Sequence, residues 1–132
     1  MMRTIALRLK PGADPRRELR EICERRAIDA ACVLSCVGSL RTAVVRFADA
    51  PEAESLDGPY EIVGMEGTVS RHGCHFHVAL SDAQGQVVGG HLKDGSQVHT
   101  TAEIVLGVLD GVAFERELDP ETGYDELVVR DV

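Results

Sequence analysis

The sequence predicts an α+β fold, a mainly antiparallel β-sheet packed with one principal helix, in a single domain covering residues 1–132. Three observations predict it. Most of the chain falls into short apolar or alternating runs separated by Gly, Pro, Asp and Ser, the punctuation of strands and hairpins. One stretch alone, beginning at Asp14-Pro15, combines a capping signal with apolar residues at helical spacing. There is no internal repeat, low-complexity segment or Gly-rich phosphate loop.

Taken in order, Arg3 to Leu9 mixes apolar Ile5, Ala6, Leu7 and Leu9 with polar Arg8, and Pro11-Gly12 stops this first strand. Asp14 then reads as an N-cap with Pro15 at the first helical position, and Leu19, Ile22, Cys23 and Ala27 make the buried stripe. The other face interleaves Arg16, Arg17, Arg20, Arg25 and Arg26 with Glu18, Glu21 and Glu24, a mixture expected to be solvated, with Glu21 and Arg25 as an i,i+4 pair. Ala30 to Val37 and Leu40 to Phe47 read as two strands joined by a tight turn at Gly38-Ser39. Ala48 to Gly58 reads as a polar surface loop. A strand from Pro59 to Val69 then turns at Arg71-His72-Gly73 into a second one, His75 to Ser81. The turn Ser81 to Gln86 makes the latter a hairpin with Val87 to Leu92. Val98 to Asp110 carries enough Thr and Val to favour strand over helix. Val112 to Leu118 and Tyr124 to Val129 close as a last hairpin around Asp119-Pro120-Glu121-Thr122-Gly123.

A domain of 132 residues buries about two thirds of the surface its unfolded chain exposes. The net charge of −8 opposes unassisted binding to phosphate backbones or anionic membranes. No run of apolar residues is long enough to cross a bilayer, so no membrane partner is expected. The four cysteines, Cys23, Cys32, Cys36 and Cys74, make no CxxC pattern, and Met1-Met2-Arg3 opens no signal-like apolar run. A cytosolic setting with reduced, core-type thiols at Cys32 and Cys36 is the expectation.

The chemistry concentrates in histidines. His75 and His77 stand two apart on one strand and share a face, and the hairpin brings His91, in Gly89-Gly90-His91-Leu92, across from them. Three neutral imidazoles with a fourth position open are a ligand set for a divalent metal, zinc above all. The competing reading of His75-x-His77 is a pair of half-exposed polar residues, and the third histidine moves the balance toward a metal. Cys74 borders the cluster in sequence, but its side chain should face away.

Several blocks together resemble the plant and prokaryote conserved (PPC or PCC) domain, which is also the C-terminal domain of plant AT-hook nuclear proteins. They are Val33 to Leu40, Gly58 to Val63, His75 to Asp82, Gly85 to Leu92, Thr100 to Val105 and Asp119 to Tyr124, nearly the whole chain in the family's order. The resemblance implies an α+β domain that assembles as a homotrimer, with the matching His75, His77 and His91 as metal ligands. Plant members bring DNA through a separate hook and use the segment matching Gly58 to Val63 for protein contacts. This chain has no Arg-Gly-Arg-Pro hook and carries Pro59 where the plant segment has an arginine. Stand-alone bacterial members are labelled DNA-binding by association with the plant proteins. A sheet with few aromatics and one helix also leaves edges and apolar faces that identical chains would cover.

Two functional readings follow. In the first, the metal is structural or sensory, and the trimer is a regulatory platform with DNA, a DNA-binding protein or a small molecule as partner. In the second, the chain is a hydrolase-like metal-dependent enzyme in which Glu103, or else Asp82, serves as base beside an activated water. Glu103 is preferred because Thr100 to Glu103 is a polar insertion in an apolar element; its plainer role is a solvated edge residue. His99 reads as a surface histidine before a fourth ligand or proton shuttle, and His72 as a solvated turn residue. His75-x-His77 followed by Asp82 also approaches a cupin pattern, but no second cupin motif is evident.

Overall fold

Capping chemistry starts the helix where the sequence places it. Asp14 has extended backbone and its carboxylate accepts the Arg17 amide at 3.2 Å, while Pro15 supplies a helix-ready φ at the first position. In the computed structural model, which describes residues 1–132, helix α1 spans Pro15–Arg25 and buries Leu19, Ile22 and Cys23. The strands are β1 Met2–Leu9, β2 Ala31–Arg46, β3 Glu54–Ser70, β4 Gly73–Ser81, β5 Val87–Leu92, β6 Gln97–Leu109, β7 Val112–Leu118 and β8 Asp125–Asp131. Six of them form one antiparallel sheet in the order β1-β6-β2-β3-β4-β5, and α1 packs against β3, β4 and β6. The hairpin β7–β8 is a separate two-stranded sheet.

The far end of the sheet closes on itself. Val45 and Arg46 of β2 pair with Leu92 and His91 of β5, so β2, β3, β4 and β5 make a small ring. Register shifts at Val33/Ser35, Gly38/Leu40 and Leu40/Thr42 of β2 supply the bending this requires. Here the structure corrects the sequence reading: no turn interrupts Ala30 to Phe47, and one strand runs through Gly38 and Ser39. A Cβ on Gly38 would stand 2.0 Å from the Thr101 carbonyl oxygen, so this glycine admits a neighbouring backbone instead of turning the chain. The expected loop Ala48 to Gly58 is likewise shortened, because Ser55 and Leu56 already pair with Val44 and Ala43.

Strand β4 shows how the fold sorts its faces. Phe76, Val78 and Leu80 are buried with Leu40, Val45, Leu92, Ile104, Leu106 and the helix's Leu19, whereas His75 and His77 point outward. The last hairpin docks on the outward side: Ser70 Oγ donates to the Phe114 carbonyl at 2.6 Å, and Arg116 Nη2 donates to Thr68 Oγ1 at 3.0 Å.

A second correction concerns α1. Arg16 and Arg20, expected in solvent, turn onto Asp94 between β5 and β6, with Arg16 Nη1 at 2.7 Å from Oδ1 and Arg20 Nη2 at 3.0 Å from Oδ2. Only Glu21 and Arg25 keep the expected outer pairing, at 4.0 Å. The hydrogen bond from Arg20, helped by Arg16, holds the Asp94 carboxyl down at about 2. Asp94→Asn is expected to cost about 1 kcal/mol, a solvent-screened value because the Asp94 side chain is 37 % exposed. A carboxyl depressed in the folded state contributes fully above its unfolded value of about 4, and the contribution is lost as pH falls through about 2. Urea unfolding should therefore show a constant gap between parent and variant from about pH 7 to about pH 5 that closes toward about pH 2.

Candidate metal centre

Two local rules bring three imidazoles together. The period of two along β4 places His75 and His77 on one face, and the β4–β5 register sets His91 directly opposite His77. Ring centroids lie 4.9 Å apart for His75 and His77, 4.7 Å for His77 and His91, and 5.3 Å for His75 and His91. His75 Nε2 and His91 Nδ1 are 3.2 Å apart, and one ring nitrogen from each histidine lies within 4.8 Å of the others. Metal–nitrogen bonds of about 2.0–2.1 Å in a tetrahedral site put ligand nitrogens about 3.3 Å apart, so modest ring rotations separate this cluster from a coordinating one. The donor set fits a zinc-like ion.

The electrostatics keep the donors free. Partial burial pushes the His75 imidazole below its usual value, with His77 and Arg116 adding to the effect. Burial also lowers His91, followed by Arg46 and the other two histidines. Both rings are thus neutral at pH 7, the form that offers a lone pair to a metal.

A cleft of about 710 Å³ opens beside His75 and His91. Its walls come from α1 through Arg16 and Arg20, from β2 through Arg46, from Lys93, and from the last hairpin through Arg116 and Tyr124. Cys74 borders the cleft and packs partly on the core, outside the cluster of ligand atoms. All four cysteines are free thiols. Cys32 and Cys36 are only partly buried, though burial pushes the Cys36 thiol up to about 11.

The other sequence-predicted residues are placed elsewhere. Glu103 is exposed on β6, between Arg8 of β1 and Val37 of β2, and is not brought to the histidines within the chain. His99 is exposed on the same strand. Asp82 accepts the Gln84 and Gln86 amides, each at 2.9 Å, and holds the β4–β5 turn. His72 lines the cleft from its turn, 3.8 Å from Asp29. Sequence reasoning missed Glu66 and Arg46. Pairing places Glu66 opposite His77 and Arg46 opposite His91, so Glu66, His77, His91 and Arg46 form one row across four strands. Counting back from the Arg71-His72 turn reaches Glu66; no local signal reaches Arg46.

A family model described as the Plants and Prokaryotes Conserved (PCC) domain matches residues 1–110. The chain belongs to this family. The PCC match stops before the hairpin β7–β8, which supplies one wall of the cleft. Over 131 residues the chain is 43 % identical to the bifunctional protein GlmU of Synechococcus sp. (strain JA-3-3Ab), covering 99 % of this PCC chain and 21 % of that protein. It thus spans about a fifth of the length of the curated relatives it matches. A hypothetical protein of Salmonella cholerae-suis superposes with a TM-score of 0.95 at 36 % identity, over 99 % of this chain and 95 % of its own. A metal-containing protein of Archaeoglobus fulgidus superposes at 0.81 with 34 % identity, over 96 % and 93 % of the two chains.

Proposed function

We propose that this PCC domain binds one divalent metal ion, zinc as first choice, through His75, His77 and His91, and acts as a homotrimeric regulatory module that takes a small-molecule ligand at that centre. The carrying observation is the convergence of three ring nitrogens within 4.8 Å beside an open cleft. The A. fulgidus relative's description as metal-containing supports it. When bound, a zinc ion supplies a Lewis-acid centre with one position open to a ligand.

Trimerisation draws support from an exposed apolar patch of the sheet, where Leu34 is 47 %, Val37 59 % and Val63 59 % exposed on adjacent strands. Glu103 lies across from Val37, at the border of that patch. Light scattering on the parent is expected to give three chains per particle, and Val37→Glu, which puts a charge in the patch, is expected to shift the mass toward one chain. A monomeric parent contradicts the trimer.

DNA as a direct partner ranks lower. The chain carries a net charge of −8, and the cations beside the histidines line a concave cleft. Fold neighbours from Bacteroides thetaiotaomicron and Ralstonia eutropha carry only provisional DNA-binding descriptions at 15 % and 20 % identity. A second reading, hydrolase-like catalysis, is favoured by the cleft opening onto His75 and His91. Glu66 is the strand partner of His77 but does not line that cleft, whose carboxylates are Asp49, Asp125 and Glu126, and Glu103 on β6 is not brought to the histidines within the chain. Cobalt(II) loading tests the metal site. Intense visible bands of a tetrahedral ion are expected, and a pale spectrum shared with a His75→Ala, His77→Ala, His91→Ala triple variant overturns the reading.

A further inference from the structure

We propose that Arg46, Lys93 and Arg116 form an anion subsite beside the histidine cluster, and that the ligand of this domain is a small metabolite bearing a dianionic group, a phosphomonoester or a dicarboxylate. This rests on the preceding reading for the position of the metal and adds the ligand's chemical class. In a chain of net charge −8, three cations converge on one cleft with no carboxylate at ion-pair distance from any of them. By contrast, Arg16 and Arg20 in the same cleft are neutralised by Asp94.

The two guanidinium groups are positioned by neutral partners. Arg46 donates to the Ala50 carbonyl at 3.3 Å and lies 5.7 Å over the Tyr124 ring. Arg116 donates to Thr68 Oγ1 at 3.0 Å, and Thr68 is the strand partner of His75. Each therefore keeps its full charge, and each offers a planar fork suited to phosphate or carboxylate oxygens. Three unneutralised cations match a dianion better than a monoanion. The strand pairing of Arg46 with His91 sets the subsite one strand from the proposed metal, so one ligand can span both. A cleft of about 710 Å³ holds a small metabolite and not a nucleic-acid duplex. Asp49, Asp125 and Glu126 border the same cleft, and they favour a ligand whose other end carries hydroxyl or amino donors. Arg116 and Tyr124 lie beyond residue 110, so the hairpin that the family model does not reach supplies one of the three cations and the ring packed against another.

The test is calorimetric titration of metal-free and of zinc-loaded protein with phenyl phosphate and, separately, with malonate, with phenol as the uncharged control. Saturable binding of either dianion and none of phenol is expected, the better probe naming the group. Arg116→Gln and Lys93→Gln should each weaken it at least tenfold, Arg116→Lys should recover part, and Arg25→Gln on the outer face of α1 should change nothing. Unaltered urea midpoints certify each fold, and Lys93→Gln decides if Arg116→Gln does not fold. Absence of binding in both protein forms, or equal binding by parent and variants, overturns the subsite. Zinc uptake without dianion binding sinks this inference alone; dianion binding without zinc uptake sinks the metal reading alone.

Discussion

Gly67→Ala is expected to destabilise the fold by about 3–5 kcal/mol and to weaken metal binding along with it. Gly67 has a φ of +156°, and a Cβ there would stand 2.0 Å from the His75 carbonyl oxygen and 2.7 Å from the Phe76 ring. Relief requires β3 and β4 to separate at the residue that carries one imidazole, while Phe76 beneath is 1 % exposed and has nowhere to go. Gly85→Ala is the internal comparison. It meets nothing within 4 Å at a φ of +80°, so only the backbone preference is lost, about 1 kcal/mol. Urea unfolding of metal-free proteins measures both, and equal costs would show that β3 and β4 are not in this contact.

The second large effect concerns His77→Ala. His77 is the central ring of the cluster, edge-on to both His75 and His91 at 4.9 and 4.7 Å between centroids. Its removal leaves two parallel imidazoles with no third donor. Loss of a supporting group outside the coordination sphere lowers metal affinity about 10–100-fold, and losing one of three protein ligands is expected to exceed that. Competition with a chromophoric chelator should show it, while urea stability of the metal-free form changes by less than about 1 kcal/mol because His77 is exposed. An affinity within about threefold of the parent would remove His77 from the ligand set.

What was legible in the sequence was whatever short-range rules determine. Asp14-Pro15 starts the helix because capping acts over three residues. The hairpin from His75 to Leu92 is determined by its own turn, in which Asp82 closes two amides, and that turn sets the register bringing His91 to His77. The histidine cluster was therefore readable from the local sequence. Local rules predict a turn at Gly38, whereas its reason for being glycine is Thr101, a contact made only when β6 inserts beside β2. The helix's own sequence predicts Arg16 and Arg20 in solvent, because Asp94 lies 78 and 74 residues away. Arg46 and Arg116 escaped for the same reason. One reaches the cleft through the ring closure of β2 on β5, the other through a hairpin docked by Ser70 and Thr68.

The central claim is that three histidines make one metal centre, and the most direct measurement is the metal content of protein purified without a histidine tag, by plasma mass spectrometry. The parent is predicted to carry close to one zinc-like ion per chain, and His75→Ala, His77→Ala and His91→Ala are each predicted to lose it. A parent that carries no metal and takes none up on reconstitution contradicts the account.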